Sequence, residues 1–200
     1  MALKAIIFDI DGVLADSREA VVQNTGELLK MHGFSVPLER IEKMSSAHSA
    51  ETVLVALVPS LGKDAALCER MLADLSEITA KNLHMVKPTP LAKKIGALAG
   101  RYLLAAASNR KTSARMVLGK IGVEEFFGVV VTSADAPPKP DPGMVRLALA
   151  RLGVEAGESV FVGDNPEDEA AGKAAGVRTF LVDGMDEKAC WKLLGDIGAQ

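Results

Sequence analysis

From Pro90 onward, short apolar runs alternate with helical stretches, and no other feature restricts the fold of this chain as strongly. Strands are expected over residues 102–107, 128–132, 159–162 and 178–182, and helices over 91–99, 112–121, 143–152, a stretch ending at Ala175, and 187–194. Gly122, Gly153 and Gly176 stand where three of those helices should stop, as glycine does past a helix C-terminus. Strands separated by single helices form βαβ units, which predicts a parallel sheet with helices on both faces.

One more apolar strand, residues 3–8, lies far upstream and ends in an acidic loop, residues 9–16. Between them the periodicity is helical, with no convincing strand: helices are expected over 17–32, 38–44, 51–57 and 65–84. Asp16 is placed to cap the first of these, with Glu19 as its capping-box partner and Gly33 as the stop. The expected architecture is therefore an α/β core of residues 1–16 and 88–200, interrupted after its first strand by an all-helical insert of residues 17–87.

With 200 residues, 48% of them apolar, the chain can bury a core without staples. Its net charge of −3 and lack of a Lys/Arg cluster speak against a nucleic-acid backbone or an anionic membrane as partner. No apolar run approaches the ~18 residues of a membrane span. MALKAIIFDIDG does not read as a secretory leader, so a cytoplasmic protein is expected. Cys68 and Cys190 lie far apart without metal-type spacing and are expected to be reduced and structural.

Open α/β sheets bind ligands beyond the carboxyl ends of their strands. Asp9 and Asp11 follow the first strand, Ser108 and Asn109 the second, Lys139 the third, and Asp164 and Asp168 the fourth. Four strand ends would bring these polar groups to one rim. Several carboxylates crowded together require a compensating cation, and an all-oxygen set suits magnesium. Asp9 and Asp164 are the natural side-chain ligands, and Lys139 could neutralise a carboxylate and a phosphate oxygen together. Each residue also has a plainer role open to it. DxDG can be a self-satisfied turn, Asp16 a helix cap, Asp168 part of a helix start after Asn165 and Pro166, Lys139 a loop charge, and Ser108 a cap or turn residue.

Taken in order, FDIDGV with Asp9 and Asp11, LLAAASN with Ser108, KPDP with Lys139, and GDNPED with Asp164 and Asp168 resemble the four motifs of the haloacid dehalogenase superfamily, over essentially the whole chain. The insert resembles the helical cap of its phosphoglycolate phosphatase-like and β-phosphoglucomutase-like branch. The resemblance implies a Rossmann-like core and a magnesium-dependent phosphatase acting on a small phosphorylated metabolite, as a monomer or homodimer. Asp9 would be the nucleophile. Asp11 would be the acid and base, its backbone carbonyl on magnesium. Ser108 would hydrogen-bond the phosphoryl group, with Asn109 near the substrate, Lys139 would balance charge, and Asp164 would hold the metal, joined by Asp168. In the insert, Arg18 and the loop 44–49, with Ser46 and His48, would meet the substrate.

Other readings are a phosphosugar mutase of the same superfamily and a non-enzymatic phosphoacceptor module. Those mutases tend to carry Glu before the fourth-motif Asp, where this chain has Gly163. A receiver module would be shorter, would lack the insert, and would take the phosphoryl group on an Asp after its third strand. A dehalogenase does not need the second aspartate, and a phosphonate hydrolase would need a Schiff-base lysine from the cap.

Overall fold

The computed structural model describes residues 2–45 and 49–198. They divide into two units: residues 1–16 with 87–200, and residues 17–86.

The first unit is built on a five-stranded parallel sheet. Its strands are β1 (Ala5–Phe8), β4 (Leu103–Ser108), β5 (Val129–Thr132), β6 (Ser159–Gly163) and β7 (Arg178–Leu181), in the spatial order β5-β4-β1-β6-β7. Strand β1 is central and every residue of it is buried, as expected of a parallel strand covered on both faces. The run of three alanines in β4 has weak strand propensity, but burial outweighs it. Ala105 and Ala107 present small side chains to Met144, Val145 and Ala148 of the helix Gly143–Leu152. On the same face Ile7 and Phe161 pack with Ala171 of the helix Pro166–Ala175. From β1, Phe8 meets Phe127 edge to face, with ring centroids 6.2 Å apart. The two-residue strands β2 (Ala15–Asp16) and β3 (Lys87–Pro88) pair antiparallel where the chain leaves and re-enters this unit.

Register carries the polar residues to one edge. Phe8 lies opposite Ala106 of β4 and Val162 of β6, and Ser108 lies opposite Thr132 of β5. The next residues past those positions are the acidic loop after β1, Asn109 and Arg110 after β4, and Asp164 after β6.

The second unit is helical: α1 (Arg18–Met31), α2 (Leu38–Met44), α3 (Ala50–Leu57) and α4 (Ala65–Lys81), around a core that includes Leu28, Ile41, Leu54 and Met71. Two local expectations fail here. Asp16 does not cap α1: it is paired with Lys87 where β2 meets β3, and Ser17 occupies the cap position. The last helix of the unit ends at Lys81, and a 3₁₀ turn, Leu83–Met85, replaces its final turn.

Candidate active site

Asp9 follows β1 directly. Its N–H donates to the Val162 carbonyl at 2.8 Å, which fixes the residue against β6. Its side chain is buried, and Oδ1 lies 2.7 Å from Lys139 Nζ. Lys139 is buried too and reaches Asp168 Oδ1 at 2.6 Å. Asp168 has no exposure, and its Oδ2 accepts the Asp164 N–H at 3.1 Å. Asp168 is placed by its helix: Asn165 caps the first turn through the Glu167 and Asp168 N–H groups, and Pro166 takes the first helical position, which needs no N–H donor.

Lys139 comes from a loop, so its position depends on what holds that loop. Asn109 does so. Its Oδ1 accepts the Lys139 N–H at 2.8 Å, and its Nδ2 donates to the Lys139 carbonyl at 3.3 Å. Both ends of the Asn109 amide are thus engaged by Lys139 main chain, and the residue expected to contact substrate directly is set to orient the lysine. Ser108, buried at the end of β4, accepts the Arg110 N–H on its hydroxyl at 3.2 Å.

Carboxylate oxygens of Asp9, Asp164 and Asp168 all lie within 4.8 Å of one another. Among the described residues this is the one such grouping of His, Cys, Asp and Glu side chains that could hold a metal ion. Charge here is unbalanced. Burial pushes the Asp9 carboxyl well up; Lys139 opposes this, while Asp168 and Asp11 add to it. Burial likewise raises Asp164, to about 6, with Asp168 contributing next and the Asn165 hydrogen bond working against the rise. Burial opposes the charge on Lys139, but Asp9 and Asp168 outweigh it and hold the ammonium above its ordinary value. One ammonium cannot balance three carboxylates. An added hard cation with oxygen ligands fits this donor set.

Asp11 stands apart from that group. Arg110 grips it in a two-pronged pair, Nε to Oδ2 and Nη2 to Oδ1, both at 2.7 Å, while Nη1 donates to Ser113 Oγ at 2.9 Å. Burial opposes the charge on Arg110, but the Asp11 carboxylate outweighs it and raises the guanidinium further. Arg110 belongs to none of the sequence motifs; its one signal is its place two residues past Ser108, at a strand end that already delivers polar groups to the site.

Two glycines shape the rim. Gly12 has φ +76°, a left-handed conformation suited to glycine, and a Cβ there would overlap the Asp164 carboxyl. A Cβ on Gly163 would overlap the Asp168 carboxyl. In the helical unit, Arg18 is exposed at the start of α1. Ser46 and His48 lie outside the described residues.

A parallel α/β sheet whose strand ends gather aspartates, a serine and a lysine defines a class of hydrolase, and sequence comparison places the chain in it. The pattern of the haloacid dehalogenase-like hydrolase family matches residues 6–182, and the chain belongs to that family. It is similar to the pyrophosphatase PpaX of Bacillus velezensis, 31% identical over 88% of this chain and 81% of that protein. It is similar also to the phosphoglycolate phosphatase of Rhodospirillum rubrum, 33% identical over 90% of this chain and 79% of that one. The fold matches the crystal structure of CbbY from Rhodobacter sphaeroides in complex with phosphate, with a TM-score of 0.76 at 20% identity over 90% of this chain and 85% of that one. No helix among the described residues is long and apolar enough to cross a membrane.

Proposed function

We propose that this hydrolase cleaves small phosphate monoesters with magnesium, through a phosphoryl group carried transiently on Asp9. The observation that carries the reading is the placement of Asp9. It is a buried carboxylate at the end of the central strand, paired on one oxygen with Lys139 and beside Asp164.

In the first step an Asp9 oxygen forms a bond to phosphorus as the ester P–O bond breaks, and the leaving oxygen takes a proton from Asp11. In the second, water attacks phosphorus and gives a proton to Asp11 as the bond between the Asp9 oxygen and phosphorus breaks, which frees the Asp9 carboxylate and inorganic phosphate. Lys139 and Ser108 meet the phosphoryl oxygens, where alignment and charge neutralisation lower the barrier most. Asn109 keeps Lys139 in place for this.

Magnesium would be held by Asp9 and Asp164 and would offset the repulsion between the Asp9 carboxylate and an anionic ester. Asp11 would contribute its main-chain carbonyl, as the family resemblance implies, which leaves its carboxyl for proton transfer. Asp168 lends charge to the cluster: its Oδ1 forms an ion pair with the Lys139 ammonium, and its Oδ2 accepts the Asp164 N–H. Residues 17–86 would act as the cap that selects the leaving group, with Arg18, Ser46 and His48 as its substrate contacts.

The mutase reading is disfavoured at Gly163. The glutamate it calls for has no room there unless Asp168 moves, and with it Lys139. The names of the relatives, a pyrophosphatase and a phosphoglycolate phosphatase, point to small phosphorylated substrates.

The test is Asp9→Asn. With magnesium present, this variant should lose at least about a thousandfold in kcat, ~4 kcal/mol, and should take up no acid-stable, hydroxylamine-labile phosphate. Wild-type protein quenched during turnover should carry that label. Turnover by Asp9→Asn within tenfold of wild type would remove Asp9 as the nucleophile.

A further inference from the structure

Resting on the reading of Asp11 as acid and base, we propose that Arg110 is the receptor for a second anionic group on the substrate, and that filling it releases Asp11 for catalysis. The favoured substrates are then phosphate compounds whose leaving group carries a carboxylate or another phosphoryl group close to the scissile bond.

Asp11 has to move during the reaction. Its carboxyl has to approach the leaving oxygen, give up a proton, and take one back from water. In the structure both of its oxygens accept from Arg110 at 2.7 Å. A paired fork of this kind is among the stronger side-chain contacts, and its geometry is specific. Engaged in that way, Asp11 cannot turn toward a leaving group, so the pair must open during turnover.

The location of Arg110 says what can open it. Its main chain is tied into the site, since its N–H donates to Ser108 Oγ and its carbonyl accepts from the Ser133 N–H. Its side chain is only 12% exposed, against 36% for Asp11, and a third contact to Ser113 Oγ steadies it. The guanidinium is therefore the fixed partner and the carboxylate the accessible one. A guanidinium beside the leaving-group acid lies where a substituent on the leaving group would arrive.

A neutral leaving group must break the pair with nothing in return. A carboxylate or phosphoryl oxygen replaces the Asp11 oxygens on the same fork, so the exchange costs little. A ligand shifts such an equilibrium only by its differential affinity for the two arrangements. Here that difference rests on the second anion, and it appears as specificity in kcat/KM.

The experiment uses the full chain with magnesium and three substrates. These are 2-phosphoglycolate with its carboxylate, inorganic pyrophosphate with its second phosphoryl group, and 2-hydroxyethyl phosphate, which matches phosphoglycolate in length but ends in a neutral alcohol. Wild type should prefer one or both anionic substrates over the neutral ester by about a hundredfold in kcat/KM, and the better of the two identifies the anion. In Arg110→Met, kcat on the neutral ester should rise about threefold as Asp11 is released, while kcat/KM on the preferred anionic substrate falls about thirtyfold. Arg110→Lys keeps the charge without the fork and should lie between. It also serves should Arg110→Met fold poorly. If the anionic-to-neutral ratio of wild type is retained within about twofold in both variants, the proposal is overturned and Arg110 only positions Asp11. Asp9→Asn, run on the same substrates, separates the two ideas. Undiminished turnover there would remove the catalytic reading itself, whereas loss of turnover with an unchanged Arg110 ratio would remove only the receptor.

Discussion

Asn109 and Lys139 hold one another through two hydrogen bonds across 30 residues of sequence: the lysine N–H to Oδ1 at 2.8 Å and Nδ2 to the lysine carbonyl at 3.3 Å. The contact joins the end of β4 to the loop that delivers the buried ammonium. A side chain that spends its donor and its acceptor on one backbone residue fixes that residue's position and direction.

Asn109→Ala should therefore act through Lys139. The ammonium would still be present but less well aimed at Asp9. Small losses of alignment at a reacting centre cost rate more than binding. We expect kcat to fall about tenfold or more, ~1.4 kcal/mol, with KM changed less than threefold. Steady-state kinetics on one good substrate settles it. A rise in KM with kcat intact would instead make Asn109 a direct substrate contact.

Lys139→Ala tests the buried charge balance. Removing the ammonium leaves Asp9 and Asp168 facing each other out of water. Breaking a buried pair by deleting one partner costs roughly 3–5 kcal/mol. Urea unfolding of the metal-free variant should show a loss in that range at neutral pH. Part of the loss should return at lower pH, where protonating a carboxyl relieves the repulsion. An unchanged midpoint would mean that the cluster relaxes into water.

Asp164 supplies a pH dependence. Burial, then Asp168, lifts its carboxyl to about 6 in the folded protein, against an ordinary 3.8. Between those values the folded state holds a proton that the unfolded chain has released. Metal-free stability from this group is therefore greatest at low pH and falls as pH rises toward 6. Magnesium needs the ionised form, so the proton competes with it. At a fixed, sub-saturating magnesium concentration, the metal-induced rise in Tm should be small near about pH 5 and should grow until about pH 7. Asp164→Asn should flatten that profile. A wild-type shift that is equal at both pH values would separate Asp164 from the metal.

Much of this site could be read along the chain because its residues sit at strand ends. Asp9, Ser108 and Asp164 each follow a run of buried apolar residues, and such runs are visible in sequence. The helix Gly143–Leu152 was bounded correctly because Gly153, at φ +69°, supplies an unambiguous stop. What escaped was set by distance. The Arg110–Asp11 pair spans 99 residues, and a lone arginine in a loop looks like any solvated charge. Asn109 follows β4, but its partner is the Lys139 main chain, and no side-chain pattern reports that. Pairing of β2 with β3 involves only two residues on each side, too short for any periodicity to show.

The importance of Gly163 is steric and can be separated from general glycine effects. It ends β6, and a Cβ there would overlap the Asp168 carboxyl, which accepts the Asp164 N–H and pairs with Lys139. In Gly163→Ala the methyl group must displace Asp168, and Lys139 loses one of its two anionic partners. Overpacking of this kind costs roughly 1–3 kcal/mol. The activity loss should exceed what the stability loss explains, because Lys139 aims at Asp9. Gly195 provides the control. It lies in the last helix, Glu187–Gly198, where a Cβ would meet nothing within 4 Å. Gly195→Ala should stabilise the fold by about 0.5–1 kcal/mol through helix propensity and leave kcat unchanged. We expect Gly163→Ala to lower Tm and to reduce kcat at least tenfold at a temperature where it remains folded. Wild-type kcat in a folded Gly163→Ala would show that Asp168 can move aside without disturbing Lys139, and would restore room for the glutamate of a mutase.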